Sequence, residues 1–115
     1  MEEKFIIYQK FYDFTLVFYP TINRIPQSHR QVLGKYLEEL CILLLVLVIK
    51  ANRERGDKRL LLQKDISDNL DNLRILIRLT KDLRFLSIKR YAIYMEKLNE
   101  IVLMLSSWMH SNGGV

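Results

Sequence analysis

The sequence predicts an all-α protein with one domain over residues 1–115, folded as an up-down-up-down antiparallel four-helix bundle. Only four glycines and two prolines interrupt the chain, whereas an all-β fold needs a turn about every 8–12 residues. Apolar residues recur three or four positions apart along four successive stretches, which is the spacing of one helix face. The links between these stretches are short, and short links make consecutive helices antiparallel.

The first two helices are expected at about residues 3–22 and 27–55. Pro20 is expected to kink or shorten the first helix near its end. Pro26 suits the first turn of the second helix, where a missing N–H leaves no partner unsatisfied. Gly34, inside the second helix, indicates either a close helix–helix approach or simple tolerance. The predicted buried face of the first helix is Ile7, Phe11, Phe14 and Phe18, together with Tyr8, Tyr12 and Tyr19. That of the second helix is Val32, Leu33, Tyr36, Leu37, Leu40, Leu44, Leu47, Val48 and Ala51.

The third and fourth helices are expected at about residues 58–83 and 87–109. Gly56 is predicted to follow the end of the second helix, with Asp57 as the N-cap of the third. Ser87 is predicted to be the N-cap of the fourth helix, and residues 110–115 are expected to fray. The predicted apolar stripe of the third helix is Leu62, Ile66, Leu70, Leu73, Ile77 and Thr80, and that of the fourth is Ile88, Tyr91, Met95, Leu98, Val102 and Leu105.

Two of the helices carry more apolar surface than a four-helix monomer can bury. The second is apolar on all sides from Leu40 to Ile49, and the third is nearly so from Leu73 to Leu83. A helix at the surface of a bundle needs apolar residues on one side only. The excess predicts self-association, with an unusually apolar core as the alternative.

The chain is not expected to enter a membrane. Its longest apolar run, from Leu40 to Ile49, has ten residues, and a spanning helix needs roughly 20. The N-terminal residues MEEKFIIYQK lack the basic-then-apolar order of a signal peptide. A cytoplasmic location is therefore expected. Cys41, the single cysteine, is predicted to be a core residue.

Positive charge is concentrated in two short stretches. The chain has a net charge of +5; residues 50–59 carry +3, residues 74–90 carry +5 and the remainder carries −3. Arg74, Arg78 and Lys81 are spaced to share one helix face. Clustered cations of this kind bind nucleic-acid phosphates, although ordinary solvated helix ends have the same composition. The predicted nucleic-acid-binding residues are Arg53, Arg55, Lys58 and Arg59 in the first stretch, and Arg74, Arg78, Lys81, Arg84, Lys89 and Arg90 in the second.

No arrangement of residues predicts catalysis, a metal site or a cofactor. The sequence has no glycine-rich phosphate loop and no cluster of cysteine and histidine. Arg24 and His29 match the R-x4-H spacing of HEPN ribonucleases. That chemistry needs both side chains on one continuous helix, and Pro26 lies between them. His29 is instead predicted to be a surface residue.

An ordered set of segments resembles the accessory variability determinant (Avd) family of diversity-generating retroelements. The stretch PQSHRQVLGKYL at 26–37 is similar to the opening of the family's second helix, and the similarity continues through IKANR at 49–53. It resumes with LRILIRLTKDLRFLS at 73–87, then Tyr91, and ends with EIVLMLSSW at 100–108. Together with Tyr12-Asp13 in the first helix, the resemblance covers about residues 5–110.

The resemblance implies a non-enzymatic accessory factor that forms barrel-like homopentamers. Members bind nucleic acid through a basic surface, associate with the reverse transcriptase and assist mutagenic copying of template RNA into cDNA. The family usually has Gly-Gly where this chain has Ser106-Ser107, which bears on the packing around Trp108. Three alternatives stay open: a purely structural helical oligomer, a ribosomal-RNA intervening-sequence protein whose central motifs are absent here, and a HEPN-like ribonuclease. The preference between RNA and DNA stays open too.

Overall fold

The computed structural model describes residues 3–113, and this part of the chain is helical with no strands. The first helix is Glu3–Phe18, followed by a 3-10 segment, Tyr19–Arg24. One helical turn, Gln27–His29, and a π-helical segment, Arg30–Gly34, lead into the second helix, Lys35–Arg53. The third helix is Gly56–Asp82 and the fourth is Ile88–Gly113. The all-α prediction is confirmed.

The helices share one apolar core. The first helix contacts the second and the fourth, and the third also contacts the second and the fourth. Tyr94 lies at the centre of this core, with its ring edge-on to Phe14 and Phe18 and its hydroxyl hydrogen-bonded to that of Thr21. The predicted buried residues of the third helix are confirmed, apart from Leu62, which is half-buried. On the first helix Ile7, Phe11, Phe14 and Phe18 are buried as predicted, but the tyrosines are not: Tyr8 is half-buried, and Tyr12 and Tyr19 are exposed.

Cys41 is buried among apolar neighbours of the second helix, as predicted. Burial, with a smaller effect of the Glu38 charge, raises the pKa of its thiol to about 12. Because the thiolate is the reactive form, this cysteine is inert while the protein is folded.

The chain around the first connection contains less α-helix than the sequence predicts. The predicted first helix, 3–22, changes to 3-10 geometry at Tyr19, and Pro20 occupies the first turn of that segment, which agrees with the expected shortening. Arg30 then holds the connection, because its Nη2 donates to the carbonyl oxygens of Asn23 (2.9 Å) and Ile25 (3.1 Å).

The π-helical segment explains two errors in the predicted buried face of the second helix. Val32 lies within this segment and is 78% exposed, and Tyr36, just after it, is also exposed. The wider π turn changes the angle per residue, so the face extrapolated from a regular helix is displaced here. Gly34 is buried, and a Cβ there would lie 3.3 Å from the Ile22 side chain. The glycine therefore marks a close approach of the first connection to the second helix.

The second connection corrects two predicted boundaries and a predicted cap. The second helix ends at Arg53 and the third begins at Gly56, so neither 55 nor 58 is a helix boundary. Arg55, not Asp57, occupies the N-cap position, and no side chain caps this end. Gly56 has a φ of +60°, a left-handed conformation that glycine adopts without steric cost.

The third connection is a Schellman turn formed by an arginine. The N–H of Phe85 donates to the carbonyl of Thr80 (3.0 Å) and that of Arg84 to Lys81 (2.9 Å), which is the paired pattern of this motif. Arg84 has a φ of +68°. The third helix therefore ends at Asp82, one residue before the predicted end.

The fourth helix begins as predicted, and its buried face is shifted from the predicted one: Leu98 and Leu105 are buried as expected, whereas Tyr91, Met95 and Val102 are half-buried. Ser87 is the N-cap, since its Oγ accepts a hydrogen bond from the N–H of Arg90 (3.1 Å). Ile88 was wrongly placed in the core and is 79% exposed. The helix continues to Gly113, so residues 110–113 are helical rather than frayed, and 114–115 lie outside the described residues. The buried line is Tyr94, Leu98, Ile101, Leu105 and Trp108.

No helix within residues 3–113 is both long enough and apolar enough to span a bilayer.

Arg84→Gly is predicted to stabilise the protein. A left-handed conformation costs an L-residue roughly 1 kcal/mol more than it costs glycine, so the free energy of unfolding in urea should rise by up to about that amount. Arg84→Ala is the matched control, because it removes the same side chain but retains the Cβ. Equal stabilities of the two variants would contradict the strain at this position.

Candidate nucleic-acid interface

The predicted basic stripe of the third helix lies beside the fourth helix. Arg74 donates from Nη2 to Asn99 Oδ1 at 3.0 Å, and Lys81 Nζ lies 4.4 Å from the centre of the Tyr91 ring. Their spacing along the third helix turns both side chains toward the same neighbour. The sequence prediction that Arg74, Arg78 and Lys81 share one helix face therefore agrees with their contacts.

A groove of about 380 Å³ separates the two helices at this stripe. Tyr91 and Met95 are half-buried and supply aromatic and thioether surface. Arg78 is well exposed, and its nearest carboxylate is Asp82 at 3.8 Å. We call this cavity the basic groove. Its lining residues are Asp71, Arg74, Ile75, Arg78, Tyr91 and Met95.

The basic groove continues into a larger cavity with a different chemical character. Asp71 lines both cavities, and the second has a volume of about 700 Å³. Its polar side chains are Ser67, Asp71, Ser106 and His110, with no arginine or lysine in its lining. Phosphate binding between these helices is therefore favoured only in the half that contains Arg74 and Arg78.

Carboxylates moderate the charge of the stripe. Lys81 Nζ is 3.2 Å from Asp82, the same residue that faces Arg78. These are partly exposed pairs, which water and salt screen readily. A phosphate group can therefore displace Asp82 from either cation at little cost.

The three remaining residues of this stretch do not line the basic groove. Arg84 is exposed in the turn, Lys89 is exposed and Arg90 is half-buried in the first turn of the fourth helix. Lys89 lies about 200° around the helix from Tyr91. These three residues therefore lie outside the groove, in the turn and in the first turn of the fourth helix.

In the other predicted cluster, three cations are exposed and the fourth is hydrogen-bonded within the protein. Arg53, Arg55 and Lys58 are exposed. Arg59 instead donates from Nε to the carbonyl of Ala51 (3.0 Å) and from Nη2 to that of Asn52 (3.2 Å). These are two of the last carbonyls of the second helix.

Arg59 also contacts the tryptophan of the fourth helix. Its guanidinium carbon is 5.8 Å from the centre of the Trp108 ring, within cation–π range. Trp108 is buried despite the Ser106-Ser107 departure from the family pattern; Ser107 is exposed and Ser106 lines the larger cavity. Arg59 thus has a structural role that its position in a basic run did not indicate.

The R-x4-H pair lies on two separate helical segments. Arg24 ends the 3-10 segment, and Ile25 and Pro26 are extended before the turn that contains His29. The predicted interruption at Pro26 is confirmed. His29 is exposed, as predicted, and its ring lies 5.1 Å from that of Phe85. Among the described residues, no three His, Cys, Asp or Glu side chains are arranged to hold a metal ion.

Sequence reasoning missed the role of the fourth helix in this site. Tyr91 and Met95 were assigned to the core stripe, and Asn99 was not considered. The available signal was the position of Tyr91, because an aromatic ring with a polar end is favoured at a half-exposed surface. Its pairing with Lys81 depends on how the two helices pack, which spacing within one helix does not determine.

Comparison with known proteins identifies one family. A sequence model of the bAvd-like family matches residues 5–112. No curated protein and no solved structure shows significant similarity to the chain.

Arg59→Ala is predicted to destabilise the protein by about 1–2 kcal/mol, because two helix-end carbonyls lose a charged donor. Arg55→Ala is the matched control, since it removes an exposed arginine four residues away and should change the free energy of unfolding by less than about 0.5 kcal/mol. Urea unfolding of both variants measures the difference. Equal effects would show that the Arg59 contacts contribute no stability.

Proposed function

Because this chain belongs to the bAvd-like family, we propose that it is a non-enzymatic accessory protein of a diversity-generating retroelement. In this role it binds RNA or DNA through basic surfaces and associates with the reverse transcriptase, supporting mutagenic cDNA synthesis. Family membership supports the accessory role. The basic groove is the observation that supports nucleic-acid binding.

The chemistry of the basic groove suits a phosphate with an unpaired base. Arg74 and Arg78 present two guanidinium groups, which match the geometry of phosphate oxygens. Tyr91 offers a ring on which a base can stack, and such stacking tolerates any sequence. The groove holds few groups that could read base edges, so contact with the backbone should dominate.

The contacts also support the antiparallel arrangement within this proposal. Near one end, Ile7 and Trp108 line a common cavity, and further along the first helix and its extension, Thr21 bonds to Tyr94. Along one direction of the molecule, residue numbers therefore increase on the first helix and decrease on the fourth, as in two antiparallel helices. Arg59 similarly joins the start of the third helix to the end of the second. We propose an up-down-up-down bundle that assembles into a homopentameric ring.

Exposed apolar residues support assembly of several copies. Ile42 and Val46 on the second helix and Ile75 and Leu79 on the third are exposed. They lie in the two segments whose all-round apolar character predicts self-association. A ring multiplies a weak basic site, and several weak phosphate contacts then give useful affinity.

A structural helical oligomer, of the ribosomal-RNA intervening-sequence type or otherwise, is the second candidate. One observation favours it: Arg59, Arg74 and Lys81 all have partners within the protein. A HEPN-like ribonuclease is less well supported, because Arg24 and His29 lie on different helical segments. A neighbouring reverse-transcriptase gene with paired near-identical repeats would favour the accessory role over both.

Replacing Arg74, Arg78 and Lys81 together by alanine is predicted to weaken nucleic-acid binding. The logarithm of affinity should fall with that of salt concentration by about 0.7–0.9 per phosphate contacted, and the triple variant should flatten this slope. Fluorescence anisotropy with unrelated RNA and DNA oligonucleotides of equal length measures both quantities. Losses should be similar for every sequence, because no base is read.

The matched control removes Arg53, Arg55 and Lys58, three exposed cations without a role in the basic groove. It should lower affinity less than the first triple variant does. If only the control loses affinity, the binding surface is the other cluster. If the parent protein does not bind at physiological salt, the structural-oligomer candidate replaces the proposed function.

Association with the reverse transcriptase is tested by co-expressing the two proteins of one locus. We expect the tagged reverse transcriptase to retain this protein through purification and size-exclusion chromatography after nuclease treatment. Loss of the complex on nuclease treatment would mean that nucleic acid alone bridges them. Failure to associate before treatment would contradict the partnership.

A further inference from the structure

The first and third connections form a strongly basic end of the molecule. The rings of His29 and Phe85 lie 5.1 Å apart, which places the two connections side by side. Residues 14–37 and 83–95 contain these connections and the turns beside them, and neither stretch has an aspartate or a glutamate. By contrast, residues 50–59 around the second connection include two carboxylates among five cations. We call the surface of the first and third connections the basic end. Its cations are Arg24, Arg30, Lys35, Arg84, Lys89 and Arg90.

Three cations of the basic end are open to a partner. Arg24, Arg84 and Lys89 are exposed, and in the described part of the chain none of them forms an ion pair. The carboxylate next to the third connection in the sequence, Asp82, lies near Lys81 and Arg78 instead. A polyanion can therefore contact the three exposed cations without first displacing a carboxylate from them.

An aromatic ring lies among these cations with part of its surface open. His29 is exposed and Phe85 is half-buried, and their ring planes are inclined by 39°. Phe85 therefore supports one side of the His29 ring, while the rest of that ring faces solvent. Proteins that bind single strands stack unpaired bases on aromatic side chains, histidine included. The pair of rings thus has the chemistry of a stacking platform.

Hydrogen bonds hold both ring-bearing segments in place. The N–H of His29 donates to the carbonyl of Pro26 (2.8 Å), and the Arg30 side chain bonds two carbonyls of the same connection. The N–H of Phe85 donates to the carbonyl of Thr80 (3.0 Å). Because the platform is already fixed, a base that binds there orders little of the chain, and less of the binding energy is lost to that ordering.

The platform also lies close to the basic groove. Thr80, which bonds the backbone of Phe85, directly precedes Lys81. Lys81 in turn lies 4.4 Å from the centre of the Tyr91 ring, which lines the groove. The backbone of Phe85 is therefore within about one helical turn of the last cation of the stripe. One strand that leaves the groove at Tyr91 can continue onto the basic end.

We propose that the basic end is a second contact for nucleic acid and that it selects unpaired strands. One base stacks on the open side of the His29 ring, and the exposed cations around it contact the neighbouring phosphates. A duplex offers the same phosphates but keeps its bases paired, so only a single strand gains the stacking contact. This proposal rests on the nucleic-acid binding in the proposed function and adds the class of strand that is bound.

His29→Ala tests the stacking contact, because it removes the ring and leaves every arginine and lysine in place. Affinity for a single-stranded RNA of about 12 nucleotides should fall at least about fivefold, since stacking of one base on a ring contributes that factor or more. Affinity for a duplex of the same sequence should not change. His29→Phe retains a ring and should bind the single strand as the parent does. Fluorescence anisotropy measures these affinities, and circular dichroism shows that each variant folds.

His110→Ala is the matched control, because it removes the other histidine of the chain, which is exposed and lies outside the basic end. It should leave both affinities unchanged. Lys89→Ala should instead lower the affinities for single strand and duplex by similar factors, because phosphates are common to both.

The outcomes separate this proposal from the proposed function. A parent protein that binds neither strand would overturn both. If the parent binds and His29→Ala behaves like His110→Ala, the stacking contact is wrong and the proposed function stands. Equal losses for single strand and duplex in His29→Ala would overturn the selection of unpaired strands. If His29→Ala binds RNA normally but loses the complex with the reverse transcriptase, the basic end binds protein and this proposal is wrong.

Discussion

Carbonyl groups left at the ends of helical segments need donors, and at two of the three connections in the described chain an arginine side chain supplies them. Arg30 bonds the carbonyls of Asn23 and Ile25, and Arg59 bonds those of Ala51 and Asn52. At the third connection, backbone N–H groups do so because Arg84 adopts a left-handed conformation. The connections between the helices need few glycines because these donors are present. The same need explains part of the basic excess, since each such arginine adds a positive charge near a turn.

Some arginines of this chain bond helix-end carbonyls and others are exposed cations. This difference limits what the sequence could predict about the site. The spacing of Arg74, Arg78 and Lys81 was enough to place them on one face, because helical geometry is local. Nothing local distinguishes Arg59, which caps a helix, from Arg55, which is exposed. The distinction depends on which carbonyls and rings the neighbouring helix brings close. Tyr91 was missed as a groove residue for the same reason.

The fold was predictable where the apolar period stays regular and was mispredicted where it breaks. The line from Ile7 to Phe18 on the first helix and the buried face of the third follow their sequence pattern. Val32 lies outside the core because a π-helical segment precedes the regular helix, and such a turn leaves no clear compositional signal. Ile88 lies just after the cap, where the helix has not yet reached the core. Asp57 was a plausible cap by residue type, yet the helix starts two residues earlier, at Gly56, whose φ is positive.

Cys41 gives this chain a native reporter of its own motions. The thiol is the only one in the sequence, it is buried, and its pKa of about 12 keeps it protonated and unreactive in the folded protein. A thiol reagent can therefore modify it only when the second helix separates transiently from its neighbours. The labelling rate would report how often that opening occurs, without any substitution or attached probe. Since the exposed side of the same helix carries Ile42 and Val46, the rate would also reveal whether assembly suppresses these fluctuations.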